Sequence, residues 1–397
     1  METGWQDNPA WDDAIEQSAD IVVAGRQTPE RRSRPSTSVL HRADDLLVDE
    51  AELRRPEIGG RLEEMLGSAN ARYRKDDAAD AAESVGLRLL RVAGDRRDGD
   101  LLELVRQLNE IAPRSAGVNH VLVAGPQRHG GDSPPQAAVR PLDIPGTSSA
   151  GEGKTIAVLD TGIADPEPFA VRAETTDVEP LIELPPGQLG PAVGHGTFVA
   201  GIVSRVAPGA KILVRRVLSG PLGEADELQI ITALGKLPEV DVVNLSFGGF
   251  AVDDATMLAF ERAVNALPRS TLVVAAAGNH GVVRPFFPAA FKRVLAVGAA
   301  ELDEEKAWRA AEYTNFGPWV DLCAVGTDID STFVTFPPDG SGFDGGATWS
   351  GTSFAAPHVS AVAAALAARD GISPRLAAHQ LVHSTQPLVA EVGRLVP

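Results

Sequence analysis

The chain has little cysteine: Cys323 is the only one in 397 residues. A single thiol cannot form an internal disulfide, which excludes a small fold held together by a disulfide framework. Cys323 lies in the apolar run 320–325, which predicts a small buried side chain. Stability must therefore come from a hydrophobic core, for which a content of 44% hydrophobic residues is normal.

Positive charge and long apolar runs are also scarce. Lys and Arg number 36 against 54 Asp and Glu, which gives a net charge of −18. This excess argues against a nucleic-acid partner, because such partners are bound through their phosphates. No apolar run approaches the ~20 residues that span a bilayer, and residues 1–19 lack the basic start and apolar core of a secretory signal. The sequence thus predicts a cytoplasmic protein with no membrane or nucleic-acid partner.

What the chain does contain is a serine among small residues, in the segment 351–358 with the sequence GTSFAAPH. The Ala- and Val-rich run 359–369 that follows predicts a buried helix, with Ser353 at its start. Backbone N–H groups at a helix N-terminus favour negative charge, so this position suits a nucleophile and a developing oxyanion. Taken alone, the serine would also be explained as an ordinary helix N-cap.

An activated serine needs a base and a group that orients the base, and the chain has candidates for both. Residues 155–162, TIAVLDTG, predict a buried strand that presents Asp160 at its carboxyl end. Residues 194–203, GHGTFVAGIV, predict a second helix of small residues that begins at His195. The pattern indicates nucleophilic catalysis by a serine.

A fourth motif completes the pattern. Residues 272–279, LVVAAAGN, predict a strand followed by Asn279, whose carboxamide N–H can stabilise the oxygen of a tetrahedral intermediate. The chain order Asp160, His195, Ser353 is that of subtilisin and differs from chymotrypsin and the α/β-hydrolases. With four motifs in family order over about residues 153–390, the chain resembles subtilisin-like serine peptidases, the subtilases of family S8.

The resemblance implies hydrolysis of peptide bonds in proteins through an acyl-enzyme. Asp160 would orient and support His195, which would take the proton of Ser353 and pass it to the leaving amine. Asn279 and the backbone N–H of Ser353 would hold the oxyanion. No cofactor is expected to be required, and structural calcium, which family members often bind, is left unassigned because the chain shows no dense carboxylate loop.

Polypeptide substrates are implied by the same resemblance. The segment 244–249 resembles the family segment that pairs with an extended substrate and lines one wall of its primary side-chain pocket, and residues 275–278 would form the opposite wall. Small residues there let a peptide backbone come close, and Phe247 favours apolar substrate side chains. The expected substrate-binding residues are Ser246, Phe247, Gly248, Ala276 and Gly278.

Three carboxylates, Asp177, Glu179 and Glu183, lie between Asp160 and His195. They would either border the substrate cleft and attract basic side chains or, as such runs more often do, form a solvated face. Further along, residues 333–349 lead into the nucleophile and are expected to form a mobile flap.

Two other functions stay open. The Asp-Thr-Gly at residues 160–162 also occurs in aspartic protease half-sites, but that chemistry needs two carboxylates, and only a homodimer could supply the second. The fold could also serve as a regulatory binding protein without turnover, against which the presence of all four catalytic side chains counts.

The alternation of strands and helices over residues 153–397 predicts a doubly wound parallel α/β sheet with the site at the carboxyl ends of its strands. Strands are expected at short unalternating apolar runs, as in sheets covered on both faces. These runs are 155–160, 211–217, 240–246, 271–277 and 294–299. Helices are expected at 195–206, 224–236, 253–267 and 353–369.

The N-terminal region is organised differently. Residues 1–57 are polar and aperiodic, which predicts a disordered or regulatory tail. Residues 58–125 predict a β-α-β region that resembles part of a subtilase propeptide, which implies intramolecular inhibition by the N-terminal region; a small accessory domain without an inhibitory role is the alternative. Residues 126–152, rich in Pro and Gly, predict a linker in which a maturation cut would fall.

Overall fold

The computed structural model describes residues 21–24, 39–92, 100–124, 135–138, 148–164, 173–183, 189–220, 222–336, 342–384 and 386–397. The chain divides into two compact units, each built from more than one stretch of sequence. The first unit runs to Leu122 and adds Ala225–Lys236 and Gly249–Ala266. The second comprises Val123–Glu224, Leu237–Gly248 and Leu267–Pro397.

The strands are β1 (Ile21–Ala24), β2 (Val39–Asp49), β3 (Ala71–Tyr73), β4 (Leu87–Val92), β5 (Ala116–Val123), β6 (Gln136–Ala137), β7 (Thr155–Asp160), β8 (Ala173–Thr176), β9 (Lys211–Arg216), β10 (Glu224–Asp226), β11 (Val242–Leu245), β12 (Leu272–Ala276), β13 (Val294–Leu302), β14 (Trp308–Ala310), β15 (Leu322–Val325), β16 (Ile329–Phe336), β17 (Phe343–Trp349), β18 (Leu388–Val389) and β19 (Gly393–Leu395).

The helices are α1 (Glu50–Leu53), α2 (Gly59–Ser68), α3 (Asp77–Ser84), α4 (Asp100–Ile111), α5 (His195–Val206), α6 (Glu227–Gly235), α7 (Leu258–Ala266), α8 (Thr352–Asp370) and α9 (Pro374–Val382), with a short 3₁₀ turn at Val252–Asp254.

The second unit is built on a largely parallel sheet in the order β18-β19-β15-β13-β12-β11-β7-β9-β8, with β14 on an edge of β13. Its central strands are in register, because Leu245 of β11 pairs with Leu159 of β7 on one side and Ala275 of β12 on the other. The carboxyl ends of three neighbouring strands therefore lie at one level. This alignment brings the residues that follow the strands to the same edge of the sheet.

The core strands and helices of this unit follow from their composition. Strands β7, β11 and β12 are mostly apolar and buried on both faces, as parallel strands covered by helices must be. Helices α5 and α8 are rich in Ala, Gly and Val, which lets them pack closely against each other and, in the case of α8, against β12. The predicted doubly wound parallel α/β fold is confirmed.

The segment before the nucleophile is a hairpin where the sequence predicts a flap. Strands β16 and β17 pair antiparallel, and β6 adds to β17. Phe333 and Trp349 on this hairpin are buried and pack edge to face with ring centroids 6.0 Å apart. Aromatic burial therefore anchors both strands to the core of the second unit. The residues 337–341 between them lie outside the described part of the chain.

The first unit contains a sheet in the order β10-β5-β2-β4-β3, with β1 on β2. The sequence places residues 39–57 in a polar tail, yet residues 39–49 form β2, which pairs with both β4 and β5. Asp45 breaks the apolar pattern of β2, and it is buried beside Arg74 at 2.7 Å and Asn119 at 3.1 Å. Partners so far away in sequence satisfy the carboxylate, so the strand tolerates it.

Candidate active site

Asp160 and His195 form a buried pair at the carboxyl end of the parallel sheet. Asp160 is the last residue of β7 and His195 the first of α5, and Nδ1 of His195 lies 2.7 Å from Oδ1 of Asp160. The same oxygen accepts the N–H of Thr161 at 2.8 Å. A proton on Nδ1 donated to the carboxylate leaves Nε2 of His195 as the basic nitrogen. Within the described part of the chain, Nε2 has no hydrogen-bond partner.

Glycines on both sides hold His195 in this position. Gly194 precedes α5 with φ of 82°, and a Cβ there would overlap the ring of Phe333. A Cβ on Gly196 would overlap the carbonyl oxygen of Gly162, which lies in the loop after Asp160. Because neither position has room for a side chain, the loop after β7 and the start of α5 approach each other closely.

Ser353 is the second residue of α8 and is buried, at 7% exposure. Its hydroxyl donates to the carbonyl of Ser246 at 3.0 Å, so it does not bond His195 in this structure. The ring of the next residue, Phe354, lies 5.5 Å from the His195 ring between centroids. The start of α8 and the imidazole are therefore neighbours.

A chain of neutral hydrogen bonds fixes the backbone at Ser353. Ser246 donates its hydroxyl to the Ser353 carbonyl at 2.8 Å and accepts from the Asn244 amide at 2.9 Å. Ser360, two turns along α8, donates to the other end of the Asn244 amide at 3.0 Å. All four residues are buried, so the start of α8 is held to the end of β11 by groups that keep the same charge at every working pH.

Asn279 is held with one end of its carboxamide anchored. Its Oδ1 accepts two hydrogen bonds from Thr352, from the backbone N–H at 2.9 Å and from the hydroxyl at 2.8 Å. The Thr352 hydroxyl in turn accepts the N–H of Gly278 at 3.0 Å. Because Oδ1 is occupied, Nδ2 of Asn279 is the end that can donate to a substrate oxygen. Thr352 is a supporting residue that the sequence did not single out.

A cleft with a volume of about 270 Å³ lies beside Ser353. Of the residues predicted to bind substrate, Phe247, Gly248, Ala276 and Gly278 line this cleft, together with Asn279. Ser246 does not line it, because its hydroxyl and carbonyl are both bonded to Ser353. The remaining lining residues are Val123, Ala124, His280, Phe286, Thr352 and Ser353.

Two backbone strands meet in this cleft within the second unit. Val123 and Gly248 form an antiparallel bridge with N–H to carbonyl distances of 3.0 and 3.1 Å. The N–H of Ala124 donates to the carbonyl of Gly223 at 3.0 Å. An extended segment of this chain therefore pairs with the wall that the sequence assigns to substrate binding.

Glu179 holds the backbone directly before His195. The sequence did not single it out from the other two carboxylates of its loop. The solvated face expected for the three loop carboxylates does not include it, since Glu179 is only 6% exposed. Its Oε1 accepts the N–H of Gly194, directly before His195, at 3.0 Å. Burial and the charge of Asp160 raise the pKa of Glu179 to about 8, against the opposing hydrogen bonds of Thr161 and Gly194 and the charge of Arg216. No spacing distinguishes Glu179 from Asp177 or Glu183 in the sequence.

The other polar groups of the described residues form no second centre. Among the described residues, no three His, Cys, Asp or Glu side chains cluster in a way that could hold a metal ion, so no calcium site is assigned. Cys323 is fully buried, and burial raises the pKa of its thiol to about 12. None of the described helices combines the length and the apolar character needed to cross a membrane.

Comparison with known proteins decides the family. The family model for subtilases, peptidase family S8, matches residues 151–394. The chain belongs to the subtilase family. The predicted resemblance is thereby confirmed over the part of the chain that contains Asp160, His195, Asn279 and Ser353.

The chain is similar to proteinases from several bacteria. It is 34% identical over 252 residues to the thermophilic serine proteinase of Bacillus sp. strain AK1, a match that covers 57% of this chain and 56% of the relative. It is 33% identical to subtilisin BL of Lederbergia lenta, covering 54% and 76% of the two chains. The chain spans little more than half the length of the first of these relatives.

A solved structure supports the fold. Fervidolysin from Fervidobacterium pennivorans, a keratinolytic enzyme related to subtilisin, superposes with a TM-score of 0.58 at 18% identity. The match covers 90% of this subtilase and 60% of fervidolysin. At this identity the likeness supports the subtilase fold alone.

Proposed function

We propose that this subtilase is a serine endopeptidase that hydrolyses peptide bonds of proteins, with Ser353 as nucleophile, His195 as general base and Asp160 as its orienting carboxylate. The observation that carries the proposal is the buried Asp160–His195 pair, which leaves Nε2 of His195 ready to accept a proton beside the start of α8. Such a pair, with a serine at a helix N-terminus, is the arrangement that activates a hydroxyl.

The reaction starts at the Ser353 hydroxyl. Rotation about its Cα–Cβ bond takes the hydroxyl from the Ser246 carbonyl to Nε2 of His195, a rearrangement that substrate binding often completes. As Oγ bonds to the substrate carbonyl carbon, its proton passes to Nε2, and Asp160 stabilises the imidazolium. The carbonyl oxygen becomes an oxyanion that accepts hydrogen bonds from Asn279 Nδ2 and the Ser353 N–H.

Collapse of this intermediate breaks the C–N bond. The leaving amine takes the proton from Nε2, and an ester joins the acyl group to Ser353. A water molecule then gives a proton to Nε2 as its oxygen adds to the ester carbon. Collapse breaks the bond to Oγ, which takes that proton back from Nε2, and the carboxylic acid leaves. Each proton is transferred at the same nitrogen, so the tautomer set by Asp160 matters in both halves of the reaction.

Hydrolysis of an unfolded protein tests the proposal. Wild-type protein is expected to fragment it, and Ser353→Ala is expected to lose this activity by at least ~10³-fold. Ser350→Ala is the matched control, since Ser350 lies in the same segment and its hydroxyl accepts the N–H of Asp328, away from His195. Equal fragmentation by wild type and Ser353→Ala would contradict the proposal, and no fragmentation by any form would favour a binding protein without turnover.

We further propose that the segment at Val123–Ala124 inhibits the enzyme by occupying the substrate cleft. The support is the antiparallel bridge between Val123 and Gly248 and the bond from Ala124 to Gly223. A polypeptide substrate would need the same backbone partners, so the two would compete.

A proline at the bridge separates inhibition from a merely structural contact. Val123→Pro removes the N–H that donates to Gly248 and is expected to raise the rate of peptide hydrolysis several-fold. Val123→Ala keeps both backbone bonds and is expected to remain inhibited. Equal rates for wild type and Val123→Pro would argue against the inhibitory role.

A further inference from the structure

The cleft beside Ser353 is blocked on one side by the ring of Phe286. The two walls assigned to the primary side-chain pocket contain Gly248 and Gly278, and the ring lies against both glycines. A Cβ built on either glycine would lie 2.8 Å from Cδ1 of Phe286, closer than real Cβ contacts come. The Cδ1–Cε1 edge of the ring therefore touches both walls and takes up room beside them.

The ring is fixed in this place. Phe286 is only 4% exposed, and its ring packs against that of His280 with centroids 5.4 Å apart. Its carbonyl accepts the N–H of Ala290 at 2.9 Å, which anchors the backbone. In a close-packed interior a side chain of this size has no second position that is free of clashes. A substrate cannot displace it at low cost.

The space that remains is small. The cleft encloses about 270 Å³, and this volume also counts space open to solvent, so the room between its walls is smaller still. Only a short side chain can enter between the walls beside the ring.

We propose that Phe286 restricts this subtilase to polypeptides with glycine or alanine on the acyl side of the cleaved bond. The inference rests on the proposed function, because it concerns the substrate of the same site. It narrows the preference for apolar side chains that the sequence suggests from Phe247. A longer side chain would meet the Phe286 ring before the carbonyl carbon reached Ser353, and the clash would raise the barrier to attack.

A peptide series on the full chain tests the proposal. The substrates are tetrapeptide anilides that are identical except for Gly, Ala, Leu or Phe at the last residue, and the readout is kcat/KM for each. Wild type is expected to prefer Ala to Phe by ~10²-fold or more, and Phe286→Gly is expected to shrink that ratio at least ~10-fold. Each ratio compares substrates on one preparation, so it does not depend on the active fraction.

Two further variants complete the design. Phe286→Leu disturbs packing less and is expected to shift the ratio in the same direction, which preserves the test if the glycine variant fails to fold. Phe291→Leu is the matched control, because Phe291 packs on Phe287 at 5.1 Å between centroids and does not line the cleft. Its ratio is expected to match wild type.

The outcomes separate the two proposals. Ser353 is labelled in parallel with a fluorophosphonate probe. Labelling together with equal cleavage of the Ala and Phe substrates by wild type, or with an unchanged ratio in both Phe286 variants, would overturn the role of Phe286 alone. If none of the preparations, wild type included, reacts with the probe or cleaves the peptides, the proposed function is overturned and this inference falls with it.

Discussion

The two units of the molecule satisfy their buried polar groups in different ways. In the first unit, Glu227 is fully buried and accepts from Nδ1 of His120 at 2.6 Å and from the N–H of Phe260 at 2.9 Å. Charged pairs also join distant stretches of this unit: Arg42–Asp226, Arg262–Asp49, Arg114–Glu261 and Arg106–Asp253. In the second unit, neutral hydroxyl and amide groups hold the start of α8.

The two kinds of bond respond differently to salt. Exposed ion pairs weaken as salt is added, whereas buried neutral hydrogen bonds do not. The neutral hydrogen bonds of Asn244, Ser246 and Ser360 are therefore expected to keep the start of α8 in place over a wide range of salt concentration and pH. Titratable side chains adjoin that part of the site at the Asp160–His195 pair and at Glu179.

The largest effect on activity is expected at the Asp160–His195 pair. Asp160→Asn replaces an acceptor of the Nδ1–H bond by a group that can also donate, so the imidazole can carry its proton on Nε2 instead. A base in that tautomer cannot take the serine proton, and kcat for peptide hydrolysis is expected to fall by ~10⁴-fold. Asp370→Asn, a charge change at the exposed end of α8, is the control. A loss under ~10-fold for Asp160→Asn would contradict the assigned role.

The next effect concerns the buried charge of the first unit. Glu227→Leu removes the acceptor of the His120 imidazole, the His120 N–H and the Phe260 N–H. The loss is expected to lower the free energy of unfolding by about 3–5 kcal/mol, because several buried donors are left without an acceptor. Urea denaturation measures it, with Glu103→Leu on the exposed face of α4 as the control. A change below ~1 kcal/mol would show that the network contributes little.

A smaller, pH-dependent effect is expected at Glu179. Its pKa in the folded protein, about 8, exceeds its ordinary value of 4.5, so folding favours the protonated form. Wild-type stability should therefore fall as pH rises from about 4.5 to 8 and level off above. Gln cannot ionise but can still accept the Gly194 N–H. The free energy of unfolding of Glu179→Gln should therefore rise relative to that of wild type, by up to a few kcal/mol between pH 5 and 9.

Unfolding midpoints in urea at pH 5, 7 and 9 check this trend. Glu183→Gln is the matched control, because Glu183 lies in the same loop and is exposed. Parallel pH profiles for wild type and Glu179→Gln would show that Glu179 ionises without cost in the folded protein.

The smallest effect is expected at an exposed pair of the first unit. Arg106 bonds Asp253 at 2.7 Å, but both side chains are about half exposed. Arg106→Gln is expected to lower the free energy of unfolding by only ~0.2–1 kcal/mol at low salt. The difference from wild type should vanish in ~1 M NaCl, where screening is strong. If the free energy of unfolding falls by several kcal/mol and the difference persists in ~1 M NaCl, the ion pairs of the first unit are not weakened by salt and the proposed difference between the units is wrong.

The sequence predicts the second unit well because its signals are local. Strands β7, β11, β12 and β13 fall within or beside the expected apolar runs, since strands covered on both faces have unbroken apolar sequences. Helices α5 and α8 begin within one residue of their predicted starts, where Gly and small residues mark them. The motifs lie at these same strand and helix ends.

What the sequence could not predict depends on distant partners. Asp45 in β2 and Glu179 in its loop look like surface carboxylates until Arg74 and the Gly194 N–H are known. Phe286 likewise carries no motif, and its place against Gly248 and Gly278 follows only from the folded chain. Residues that act through tertiary contacts produce no periodic pattern in the sequence, so the sequence does not predict the roles of Glu179 and Phe286.

The reactivity of Ser353 tests the central claim most directly. A fluorophosphonate reacts with a serine only when a neighbouring base activates it. Peptide mapping of labelled wild-type protein by mass spectrometry is expected to find one adduct, on Ser353, which is lost in His195→Ala although Ser353 is still present. An adduct on another residue, no adduct at all, or undiminished labelling in His195→Ala would contradict the account.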